Sequence, residues 1–216
     1  MRLIGALIVF LLLSGSITAQ EERVYEFDLL AIDYVTPIAA KGYPSKSYMA
    51  INSQDNSYQL YLQIDLENDE VVLTMIDNKE GWYNYSTMAW SAFDQTEVTI
   101  VLKRRNLSRS RRSKQYKFDF TTSGIRDTLI SDKTFKSFRL EWTKRNRQLQ
   151  YCYVIDTTYT AEVPKMSAEL FSSNVELLEQ IPNGRFESVL VYKDGDALTR
   201  TDNLDYVPIA VKVVVK

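Results

Sequence analysis

Eight lysines and arginines crowd residues 103–117 with no acidic side chain among Lys103, Arg104, Arg105, Arg109, Arg111, Arg112, Lys114 and Lys117. Arginine forks grip phosphate and carboxylate oxygens in pairs, whereas lysine offers a mobile point charge. Such a run predicts contact with a polyanion, with Lys103, Arg104, Arg105, Arg109, Arg111, Arg112 and Lys114 as the binding residues. The plainer reading is a solvated loop, or one that pairs with the protein's own acidic surface. The chain does carry such a surface. Residues 103–147 hold 15 basic and 4 acidic side chains, while residues 20–102 hold 4 and 14, and residues 148–216 hold 6 and 10.

A second constellation is aromatic. Trp82, Tyr83, Tyr85, Trp90 and Phe93 fall within twelve residues. Flat rings beside Asn and Asp can stack on the apolar faces of sugars, with contact area giving affinity and polar groups giving orientation. Trp82, Tyr83, Tyr85 and Trp90 are the candidate stacking residues. On a strand over 82–87, Trp82 and Asn84 face one way and Tyr83 and Tyr85 the other, so the rings cannot all join one core. The competing account divides them between a core and cross-strand pairs.

Catalytic chemistry is narrowly bounded. The chain has no His, which removes Ser-His-Asp and Cys-His catalysis and the usual His-containing zinc sites. Its one Cys, Cys152, cannot form a disulfide within the chain and lies in an alternating apolar run, where it reads as a small buried hydrophobe. Carboxylates are plentiful enough for a glycosidase pair, yet none stands in a context that marks it out. Asp194-Gly195-Asp196, with Asp202, Asn203 and Asp205 following, could offer oxygen ligands to calcium, but the spacing fits no dedicated loop and a hairpin turn accounts for it. No glycine-rich phosphate loop is present. Neither a cofactor nor a catalytic residue is expected, and a binding role is favoured over an enzymatic one. Asn84-Tyr85-Ser86 and Asn106-Leu107-Ser108 fit the glycosylation acceptor pattern, a triplet that often arises by chance.

The elements that must position these residues are strands. Tyr58, Leu60, Leu62, Ile64 and Leu66 alternate with polar neighbours. The same period of two recurs at Val98–Leu102, Tyr116–Phe120, Phe138–Trp142, Leu149–Ile155 and Ile209–Val215. Strict alternation means a sheet with one face in a core and the other toward water. Turns are expected at Glu67-Asn68-Asp69, at 77–81, at Arg145-Asn146-Arg147 and at Asp194-Gly195, the last being the strongest hairpin signal. With strands near 24–35 and 47–52, about ten are predicted, forming an antiparallel β-sandwich or a strongly curved sheet or barrel. One helix is predicted within 167–181, capped by Ser167, stopped by Pro182-Asn183-Gly184, and apolar along Leu170, Val175, Leu178 and Ile181.

Residues 1–19 read as a cleavable secretory signal. Arg2 supplies the charge, Leu3–Leu13 the apolar stretch, and small residues run up to Ala19. That stretch falls short of the roughly 20 residues of a spanning helix. Residues 20–216 are then expected to form a single β-rich domain, exported to a periplasmic or extracellular space.

The expected function is a non-enzymatic binding or scaffolding domain that meets an anionic polysaccharide, lipid or envelope protein through the basic run at 103–117, which lies between two predicted strands and reads as a hairpin tip. Nucleic acid is not an expected partner, and membrane association is expected to be peripheral at most. A first alternative is a carrier or sensor of an apolar ligand, with Leu60, Leu62, Phe118 and Phe120 lining a hollow under the helix. A second is a carbohydrate-active enzyme or carbohydrate-binding module, which would set Trp82 or Trp90 in a cleft beside paired carboxylates.

Overall fold

In the computed structural model the described residues are 22–39, 42–94, 97–109, 120–144, 147–171 and 175–216. The expected signal at 1–19, Tyr116 and Phe118 of one predicted strand, and Arg145-Asn146 lie outside them. β-branched and aromatic residues at alternate positions give one large, curved, mostly antiparallel sheet of 13 strands. In chain order these are β1 (Arg23–Pro37), β2 (Ser45–Ile51), β3 (Tyr58–Asp65), β4 (Glu70–Asp77), β5 (Trp82–Ala89), β6 (Val98–Leu102) and β7 (Ser108–Arg109). They continue with β8 (Thr121–Thr122), β9 (Arg126–Ile130), β10 (Lys133–Lys144), β11 (Arg147–Asp156), β12 (Arg185–Lys193) and β13 (Asp196–Val215). The curved-sheet alternative is therefore the one adopted.

β13 is longer than the sequence suggests. Pro208 and the polar run Asp202–Asp205 look like a break, yet the strand spans 20 residues and pairs with β1 along its length. Two irregularities absorb the misfits. Between Phe27 and Leu29 the register shifts beside Pro208, and between Ile32 and Asp33 it shifts again, leaving Leu204 as the extra residue on β13. Inward positions of β1 keep their alternation but meet different neighbours along the strand. Tyr25 and Phe27 enter one core, whereas Ala31 enters a different cluster with Met49, Ile51 and Tyr206.

β13 also joins two halves of the sheet. Its first part pairs with β12, and its last five residues pair in parallel with β6. The stretch from β6 to β7 then reaches across to β5, where Trp82 pairs with Arg109. β1 to β5 are thus curled around a filled core that includes Phe27, Leu60, Leu73, Met75 and Val213. Leu60 and Leu62, expected beside a hollow in the carrier reading, are buried in it.

The other half, β10 to β12, is covered by two short helices, α2 (Ala168–Phe171) and α3 (Val175–Gln180), after the single turn α1 (Trp90–Phe93) earlier in the chain. The Leu170 N–H points to the Ser167 hydroxyl at 3.5 Å, so Ser167 sits where a cap belongs. Leu170, Leu177 and Ile181 bury themselves against Phe138, Leu140, Tyr153 and Phe186. Leu177, absent from the expected apolar face, is more buried than Leu178. At Asp194-Gly195 both residues have positive φ, 53° and 94°, as a tight hairpin between twisted strands requires.

Candidate functional site: a basic mouth at one end of the curled sheet

The chain leaves β6 through a 3₁₀ turn, Arg104–Asn106, that the last residues of β13 hold in place. Arg104 N–H donates to the Lys216 carbonyl at 2.8 Å, and Lys216 N–H donates to the Leu102 carbonyl at 3.0 Å. The buried Asn84 side chain donates to the Asn106 carbonyl at 3.0 Å, tying the turn to β5. β7 then sets Arg109 opposite Trp82.

These constraints open a cleft of about 220 Å³ at the end of the curled sheet. Arg23, Arg104, Arg109 and Lys216 line it, with Trp82, Leu107 and Val215 as apolar walls. Glu80 is the one acidic side chain among the described lining residues. A shallower opening next to it is lined by Lys103, Arg104, Arg105 and Lys216. Lys103, Arg104, Arg105 and Arg109 are all exposed, and among the described residues no carboxylate forms an ion pair with them. The cations further along do find partners: Lys133 meets Asp156, Lys136 meets Asp127 and Arg139 meets Glu141. Arg111, Arg112 and Lys114 lie outside the described residues.

A hydrogen-bonded chain underlies the mouth. Tyr25 donates from its hydroxyl to Asp77 at 2.8 Å, and both residues are buried. Burial first, and then the Asp77 carboxylate, push the Tyr25 hydroxyl up to about 12, so it stays a donor at neutral pH. The other Asp77 oxygen accepts the Glu80 N–H at 2.7 Å, which fixes the 78–81 turn. Arg23, two residues before Tyr25 on β1, lies 3.3 Å from Glu80.

The aromatic cluster is divided. Trp82 is buried, with its ring edge-on to Tyr25 at 5.6 Å, so it offers a wall of the cleft and no open platform. Tyr83 and Tyr85 lie on the other face of β5, edge to face at 5.4 Å, with Tyr85 67 % exposed. Trp90, on α1, stacks on Phe93 at 5.7 Å. The structure therefore brings Trp82 together with Arg104 and Arg109, and leaves Tyr83, Tyr85 and Trp90 elsewhere. Of the calcium candidates, Asp194 accepts the Gln148 N–H, Asp202 pairs with Arg200 and Asn203 donates to Asp33. Cys152 is half-buried, paired across the strands with Arg139.

A buried charge network has no signal in the sequence. Lys165 reaches both oxygens of Asp33 at 2.7 and 2.6 Å, although the two lie 132 positions apart. Asn203 donates to the same carboxylate at 3.2 Å. Nearby, Arg185 binds Glu162 with two hydrogen bonds of 2.6 Å and lies over the rings of Tyr159 and Tyr206. The Tyr206 hydroxyl is buried with no hydrogen-bond partner among the described residues, and burial, then the Asp33 charge, push it above the usual phenol range. This network fastens the segment between β11 and α2 to β1, β12 and β13.

No family model matches the sequence, and no curated protein matches it either. Among solved structures, a LolA superfamily protein from Nitrosomonas europaea is similar at a TM-score of 0.30 and 8 % identity, over 84 % of each chain.

Proposed function

We propose that this chain is an exported, non-enzymatic binding domain that takes an anionic partner at the basic mouth. The observation that carries this reading is the convergence of Arg23, Arg104, Arg109 and Lys216 on one cleft that holds a single acidic side chain. Cations lining a cleft with apolar walls focus field toward an incoming anion and desolvate it at the same time. Trp82, Leu107 and Val215 beside those cations favour an amphiphile with an anionic head over a wholly hydrophilic polysaccharide. Export rests on the signal-like residues 1–19.

The test is binding of the chain to phosphatidylcholine vesicles with and without phosphatidylglycerol, and to an immobilised acidic polysaccharide, across salt concentrations. Binding to the anionic vesicles that weakens with salt is expected, and R104A/R109A should reduce it by about tenfold or more. Salt-independent binding, or an unchanged double variant, would sink the proposal.

A further inference from the structure

Glu80 sits in the mouth for a reason that folding alone does not supply. Its backbone position is set by Asp77, which accepts the Glu80 N–H at 2.7 Å and, through its carbonyl, the Gly81 N–H at 2.9 Å. Gly81 has φ of 71°, which lets the turn close. The turn therefore forms without help from the Glu80 side chain. That side chain lies 3.3 Å from Arg23, with both groups 44 % exposed. Exposed pairs of this kind contribute little to stability and are readily exchanged for another anion.

Arg23 lies two residues from Tyr25 on the same face of β1, and the Tyr25 hydroxyl is anchored on Asp77. One buried carboxylate thus fixes the Glu80 backbone and, through Tyr25, the stretch of β1 that carries Arg23. One oxygen of the Glu80 carboxylate lies against a terminal guanidinium nitrogen of Arg23, in the cleft where a ligand oxygen would meet it. We infer that Glu80 is a resident competitor for the anion site, displaced from Arg23 when a ligand phosphate enters, and that it selects for groups of higher charge. This inference rests on the reading of the mouth as a site for an anionic head group. A doubly charged phosphate monoester replaces the carboxylate with a net gain in charge, whereas a singly charged phosphodiester only matches it.

The experiment uses the full chain and vesicles of phosphatidylcholine doped with either phosphatidic acid or phosphatidylglycerol. The unaltered chain is expected to prefer phosphatidic acid. E80Q should bind phosphatidylglycerol vesicles about 3- to 10-fold more tightly at low salt and narrow the difference between the two lipids. E67Q, on the exposed turn between β3 and β4, serves as the charge-matched control and should change neither quantity. Adding R23Q to E80Q should abolish the gain, because the competitor then has no guanidinium to occupy. Equal gains for E80Q and E67Q would mean a net-charge effect and overturn the inference. So would an unchanged E80Q alongside binding that R104A/R109A removes, an outcome that leaves the anion-binding reading standing. If the unaltered chain binds neither vesicle, or binds only the acidic polysaccharide, both the lipid assignment and the role of Glu80 fall.

Discussion

At the scale of single residues, two carboxylates do different work. Asp77 accepts from Tyr25 and from the Glu80 backbone, so it shapes the mouth without facing solvent. Asp33 is buried to 4 % exposure and is balanced by Lys165, itself almost fully covered, and by Asn203. Buried pairs owe much of their apparent strength to the cost of leaving one charge alone. K165M should therefore destabilise the fold by about 3–5 kcal/mol, because the buried Asp33 carboxylate loses its counter-ion. D33N/K165M should recover much of that loss, since neither site then carries an unpaired charge. Urea unfolding of the two single variants and the double variant gives the coupling energy directly. Additive effects would show that the pair is not coupled.

At the scale of elements, the decisive segment is the one that links β11 to β12. It passes over the sheet, is fastened by Lys165 to β1 and by Glu162 to β12, and ends at Gly184. Gly184 has φ of 150°, and a Cβ there would come within 2.5 Å of the Asp156 carbonyl and 2.8 Å of Ile155. The backbone cannot move away, because Gly184 N–H donates to the Glu162 carbonyl at 2.8 Å. G184A is expected to cost about 2–4 kcal/mol, and hydrogen exchange should show α3 and the start of β12 loosened before β3 and β4. Uniform loosening would mean that the strain spreads through the sheet. What was legible in the sequence follows the same division. Period-two alternation exposed the strands, and Asp194-Gly195 marked its hairpin, because both are local rules. The length of β13 was hidden because Pro208 sits beside a register shift in the pairing with β1, a partner far away in sequence. The basic residues of the mouth were visible as a charge run, whereas Arg23 and Lys216 join them only through the pairing of β1 with β13 and β6 with β13. Trp82 was legible as an aromatic but not as a wall of the cleft, since alternation says which face it takes and not what covers that face.

At the scale of the whole molecule, the question is whether the curled half and the helix-covered half fold as one. Each has its own core, Phe27 with Leu60 and Leu73 in one, Leu140 with Ile155 and Leu170 in the other. Separate cores by themselves would allow separate unfolding. β13 argues against that, because its 20 residues pair with β12 at one end, with β6 at the other and with β1 throughout. Melting either half strips β13 of one edge and exposes backbone groups that the other half cannot satisfy. Lys165 adds a second tie, since it belongs to the segment after β11 and is held by Asp33 on β1. A single cooperative transition is therefore expected. Trp82 reports the curled half and Trp142, on β10, the other, so variants retaining one of these tryptophans, with the others changed to Phe, can be followed separately in urea. Coincident midpoints, and agreement with far-ultraviolet circular dichroism, would establish one folding unit. Two midpoints, with Trp142 released first, would show that β13 frays at its β12 end and that the curled half, with its basic mouth, is the more autonomous part.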